Sequence, residues 1–113
     1  MAAASNARRL LAIDFEVFGN VQGVFFRKWT EKKSKEYGLV GWVKNTRVST
    51  VVGQIQGEKQ GIDQMKVWLS TKGSPKSTIT NCEFTNERSI SKLDFTDFKI
   101  VRESKPKSTR KVK

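Results

Sequence analysis

The chain has 113 residues, with 22 Lys plus Arg against 11 Asp plus Glu, no His, one Cys and a formal net charge of +11. That length fits a single domain with one modest core and excludes a two-domain enzyme. With no His and a single thiol there is no Ser-His-Asp or Cys-His nucleophile pair, no internal disulfide and no zinc site of the usual thiolate and imidazole kind. Any catalysis rests on Arg, Lys, Asn, carboxylates, hydroxyls and backbone.

The apolar runs are too short for a secretory segment or a membrane span, so the expected location is the cytoplasm. Most of the excess charge sits at the ends. Arg102 to Lys113 holds six basic residues and one acidic, a net of 6 − 1 = +5, and Arg8 with Arg9 adds +2. The remainder from Leu10 to Val101 carries 14 − 10 = +4. The expected organisation is a flexible end over residues 1–9, a domain over 10–102 and a basic, disordered tail over 103–113. The bland role for that tail is solvation; the sharper one is a weak, salt-dependent hold on an anionic partner.

In chain order, Leu11, Ile13, Phe15 and Val17 alternate with Ala12, Asp14, Glu16 and Phe18, which predicts a strand over 10–18. Gly19 to Gly23 break the alternation. Phe26, Thr30, Ser34 and Tyr37 then fall at helical spacing until Gly38, which suits a left-handed helix exit, so a helix is expected over 25–37. Two β-rich runs, 39–46 and 50–57, predict a hairpin. Ile62, Met65 and Leu69 mark a second helix, stopped by Gly73 with Pro75 beyond. Short runs at 78–84 and 95–101 complete the pattern. The order is βαββαβ plus one extra short strand, an α+β class of ferredoxin-like arrangement: a mostly antiparallel sheet with both helices on one face. That fold hosts many functions and decides none.

Chemistry is sought where the first strand meets the first helix, because a helix N-terminus offers unpaired N–H groups and partial positive charge to an anion. Gly19-Asn20-Val21-Gln22-Gly23-Val24 fills that position, with Arg27 in the first helical turn. Two glycines let the backbone turn its amides inward, and a guanidinium adds a fixed fork of donors. By spacing alone, the same residues also fit a tight turn followed by a surface charge. The Gly-Lys-Ser/Thr of a P-loop is missing.

Gly19-Asn20-Val21-Gln22-Gly23-Val24-Phe25-Phe26-Arg27 resembles the first signature of the acylphosphatases, and Gly38-Leu39-Val40-Gly41-Trp42-Val43-Lys44-Asn45-Thr46 resembles the second. Trp68-Leu69 with Gly73-Ser74-Pro75 is similar to the family's second-helix exit, so the likeness extends over about 10–102. It implies a monomeric enzyme without metal or other cofactor that hydrolyses the carboxyl-phosphate bond of small acyl phosphates. It also implies site roles. The phosphate-binding arginine falls on Arg27 and the water-positioning asparagine on Asn45. The backbone amides of Asn20, Val21, Gln22, Gly23 and Val24 would bind phosphate oxygens, with Gly19 and Thr46 in support. One departure from the family pattern follows Thr46: Arg47-Val48-Ser49 stands where a turn glycine is usual, so a positive φ there would strain the hairpin.

The missing His suits this substrate, since a carboxylate departs without a general acid. The alternative function is a non-catalytic anion-binding or nucleic-acid-binding module of the same topology. An RNA-reading sheet carries aromatics on its third strand, and Val51 to Gly57 has none. Trp29, Trp42 and Trp68 read as packing groups and Cys82 as buried filler. Lys32, Lys33 and Lys35 with Glu31 and Glu36 read as a solvated helix face.

Overall fold

The computed structural model describes residues 9–102, so the tail expected over 103–113 and, apart from Arg9, the flexible end expected over 1–9 lie outside the described residues. The elements are β1 (Leu10–Asn20), α1 (Phe26–Glu36), β2 (Val40–Asn45), β3 (Val51–Glu58), α2 (Lys59–Val67), a π turn (Trp68–Lys72), β4 (Thr78–Ile90) and β5 (Phe98–Ile100). The sheet order is β4-β1-β3-β2-β5, antiparallel at every step except the parallel pair of β2 with β5. This is the ferredoxin-like α+β fold with one short added strand.

The period-two pattern of β1 sends Leu11, Ile13, Phe15 and Val17 to one face, where they join Phe26 of α1 and Ile62 and Met65 of α2 in a single buried cluster. Each fully buried side chain of this size contributes about 1.5–3 kcal/mol of burial. The opposite face carries Asp14, Glu16, Trp42 and Gln54. Gln56, on that same face, is sealed by the segment before β5, through Gln56 Nε2 to Asp94 Oδ2 at 3.0 Å and Asp94 N–H to Gln56 Oε1 at 2.8 Å.

Several boundaries differ from the sequence pattern. β1 runs on through Gly19 and Asn20, which face Ile79 and Thr78 across a register shift after Phe18. Gly19 has φ 126°, and a Cβ there would strike the Thr78 carbonyl, so only glycine fits. β4 extends well past residue 84, because an edge strand needs no apolar alternation along its wet side and absorbs Asn86, at φ 57°, in a second irregularity. The second helix ends in a π turn closed by Gly73 N–H to Trp68 O at 3.0 Å. That turn sets Trp68 against Phe26, ring centroids 5.5 Å apart, and so braces the start of α1 from behind.

Candidate active site

β1 and β2 run parallel on either side of β3, and β5 runs parallel to β2, so the C-terminal ends of these strands gather at one end of the sheet with the N-terminus of α1. There a cleft of about 420 Å³ is lined by Val21, Gly23, Phe25, Phe26, Arg27, Lys28, Asn45, Ile100 and Arg102. No carboxylate lines it among the described residues.

The loop from β1 to α1 is held at three points. Val21 is buried in the core. Gln22 turns its side chain away from the cleft and donates from Nε2 to Thr46 O at 2.9 Å and Thr50 O at 2.8 Å, tying the loop to the β2–β3 turn. Phe25 precedes the helix in a left-handed conformation, φ 60° and ψ 25°, and its carbonyl accepts the first helical bond from Trp29 N–H at 3.0 Å. Phe25 is 77% exposed at the cleft, whereas Phe26 drives inward to 1% exposure. An aromatic residue at φ > 0 is an outlier of the kind concentrated at working sites.

α1 starts with no acidic residue in its first turn and no side-chain cap, so its free amides and partial positive charge are not neutralised locally. Gly23, at φ 75°, is exposed with open space around it. No backbone acceptor among the described residues takes up the N–H groups of Gln22, Gly23 or Val24. Arg27 projects from this turn, half-buried, and forms no ion pair among the described residues; Lys28 beside it contacts Glu31 at 3.5 Å.

Asn45 ends β2 opposite Val51, which places its side chain on the helix-covered face of the sheet. Its Oδ1 is buried and accepts no hydrogen bond. Buried polar atoms in native proteins rarely lack a partner, so an open acceptor in a cleft marks a place for a donor. Thr46 follows and organises the turn: its Oγ1 accepts from Thr50 N–H at 3.1 Å and lies 2.7 Å from Thr50 Oγ1, which donates to Glu16 Oε2 at 2.6 Å. Ser49 takes φ 71°, the strained position that the missing turn glycine foretells.

Of the residues singled out from sequence, Val21, Gly23, Arg27 and Asn45 line the cleft together. Asn20 belongs to the end of β1, paired with Thr78, and is exposed outside the cleft. Gln22 and Val24 also lie off its lining, Val24 being packed against the core. The sequence pattern did not single out Phe25, Lys28, Ile100 or Arg102; Ile100 sits in a β-rich run whose partner strand no local signal names, and Arg102 follows that run at the head of the basic segment.

The acylphosphatase family model matches residues 13–100. Acylphosphatase-2 of Mus musculus is 54% identical over 97 residues, spanning 86% of this chain and 92% of that protein. Acylphosphatase-1 of Homo sapiens is 54% identical over 93 residues, spanning 82% of this chain and 94% of that protein. The solved acylphosphatase of Coxiella burnetii superposes with a TM-score of 0.72 at 35% identity, covering 82% of this chain and 94% of its own. With both long motifs in place on the matching fold, the chain belongs to the acylphosphatase family.

Proposed function

We propose that the cleft hydrolyses the carboxyl-phosphate bond of small acyl phosphates, with Arg27 and Asn45 as its catalytic residues. The phosphoryl group lies at the N-terminus of α1, held by the Arg27 guanidinium and by the backbone amides of Gln22, Gly23 and Val24, while Asn20, paired within β1, stays outside. Phosphoryl transfer passes through a loose transition state, so positioning and charge stabilisation do most of the work. Arg27 matches the planar geometry of phosphoryl oxygens, and the helix end adds partial charge at no reorganisation cost.

Asn45 Oδ1 accepts a hydrogen bond from the attacking water and aims its lone pair at phosphorus, in line with the departing carboxylate. The P–O bond to the acyl group breaks as the bond to water oxygen forms, giving carboxylate and inorganic phosphate. The leaving carboxylate is a weak base, its conjugate acid having a pKa of about 4, and departs unprotonated at neutral pH. The single observation that carries the reading is the open, buried Asn45 Oδ1 in the same cleft as an unpaired Arg27. Thr46 and Gly19 act in support, Thr46 by fixing the turn that follows Asn45.

We place the enzyme in the cytoplasm as a monomer, in keeping with a chain whose single thiol has no partner for an internal disulfide. The basic segment 103–113 is assigned a weak hold on anionic partners. The alternative of a nucleic-acid-binding sheet is disfavoured by the hollow on the open face, which among the described residues is lined by Asp14, Glu16 and Glu83 and by no Lys or Arg. The test is hydrolysis of an aryl acyl phosphate with a chelator present, in wild type, Arg27→Ala and Asn45→Ala. Turnover by wild type alone, with phosphate still bound by Asn45→Ala, is expected; turnover by Asn45→Ala at the wild-type rate overturns the water-positioning role.

A further inference from the structure

β5 is three residues long, yet it is pinned at both ends: Gly41 N–H donates to Asp97 O at 3.1 Å and Val101 N–H donates to Val43 O at 2.8 Å. Its parallel register with β2 sets Phe98 beside Gly41 and Ile100 beside Val43. The Val101 bond carries the contact with β2 one residue beyond β5, so the chain leaves the sheet at Arg102 beside the end of β2, where Asn45 stands two residues past Val43. Both residues line the same cleft.

We propose that Arg102 is a second phosphoryl-binding arginine of this site. The inference rests on the hydrolytic reading above. Among the described residues Arg102, like Arg27, forms no ion pair, so its five donors are uncommitted. Its position also selects which end of the substrate it meets. Asn45 marks the side from which water enters, and in-line displacement sends the acyl group away from that side. A guanidinium beside Asn45 therefore faces the equatorial phosphoryl oxygens, where charge accumulates in the transition state. Arg27 approaches from the helix and Arg102 from the sheet edge, so the two hold the phosphoryl group from different elements.

The full-length chain tests this with four proteins: wild type, Arg102→Gln, Arg102→Lys and Lys99→Gln. Lys99 lies on β5 opposite Trp42, on the other face of the sheet, and controls for the loss of one charge. Inorganic phosphate binding is measured by calorimetry, and kcat/KM is measured on benzoyl phosphate, whose acyl half is neutral, and on succinyl phosphate, whose acyl half bears a carboxylate. Arg102→Gln is expected to weaken phosphate binding and to lower kcat/KM about tenfold on both substrates, the scale of one partly solvated charge-assisted hydrogen bond. Arg102→Lys is expected to recover part of the loss, and Lys99→Gln to match wild type. No change in Arg102→Gln, or a loss no greater than that of Lys99→Gln, overturns the proposal, and so does a loss confined to succinyl phosphate, which would assign Arg102 to the acyl half. Failure of the hydrolytic reading looks different: wild type then turns over neither substrate, while Arg102→Gln still weakens phosphate binding.

Discussion

Gln22 donates from its side-chain amide to the backbone carbonyl of Thr46 at 2.9 Å, and from the same nitrogen to that of Thr50 at 2.8 Å. One side chain thus joins the phosphate loop to the residue that follows Asn45, across 24 positions of sequence. Gln22→Ala removes both bonds and leaves the Thr46 carbonyl open, while the Thr50 carbonyl keeps the Thr46 N–H at 2.9 Å, so a loss of about 1–3 kcal/mol in stability is expected by denaturant melts. Phosphate affinity should fall with it, because the loop and the β2–β3 turn lose their shared anchor. Unchanged affinity in a destabilised protein would separate the tether from the site.

Asn45→Ala should lower kcat by roughly 10²–10³-fold, as for the removal of one preorganised polar group. Stability should hold or rise slightly, since the lost Oδ1 had no partner to leave behind. Comparing single-turnover rates with thermal melts checks the split directly.

Arg27→Lys keeps the charge and loses the fork. A compact ammonium on a flexible stem does not reproduce a planar bidentate donor, so phosphate binding is expected to weaken by at least about tenfold. Calorimetry with inorganic phosphate decides this, and wild-type affinity in the lysine variant would contradict a planar cradle.

Ser49→Gly relieves a residue at φ 71° in an exposed turn. Left-handed backbone costs a non-glycine residue about 1–2 kcal/mol, partly offset by the extra freedom glycine brings to the unfolded chain. A net gain of roughly 0.5–1 kcal/mol is expected, a rise of a few degrees in Tm for a domain of this size, with kcat unaltered. A lowered Tm would show that Ser49 contributes more than its backbone strain.

The Cys82 thiol is pushed up to about 11, first by burial against the core and second by the neighbouring Glu83 carboxylate. It therefore stays protonated at pH 8 and should alkylate more slowly than a free thiol, quickening toward pH 11. The sign for stability follows from proton binding. The native state keeps its proton where the unfolded thiol has begun to lose it, so stability is retained below about pH 9 and falls as pH rises toward 11. A Cys82→Ser variant should lose that slope, as alkaline melts would reveal.

Element types and order were legible in the sequence because the periods were clean: two for β1, helical spacing over Phe26, Thr30 and Ser34, and Gly38 at the helix exit with φ 74°. Arg27 and the glycine loop stood out because a helix N-terminus after a strand is a general anion site. Other features were hidden for a physical reason. The use of the Gln22 side chain as a tether, the unpartnered state of Asn45 Oδ1 and the meeting of Arg102 with Asn45 in one cleft all depend on contacts between distant parts of the chain. Local periodicity carries no record of a partner 57 residues away, as in the pairing of Gly41 with Phe98. The length of β4 was missed because its outer side faces water and so needs no pattern.

The two edges of the sheet bear on how copies of this chain meet one another. A long flat edge is a template for strand addition from a second molecule. Here one edge, β5, offers only three residues, and the other, β4, is interrupted by register shifts opposite Phe18 and Ala12 and carries Glu83 and Glu87 among its exposed residues. Neither edge presents an uninterrupted apolar row of free backbone groups. The irregularity that lets Gly19 lead into the phosphate loop thus also spoils the β4 edge as a seed for intermolecular sheet growth.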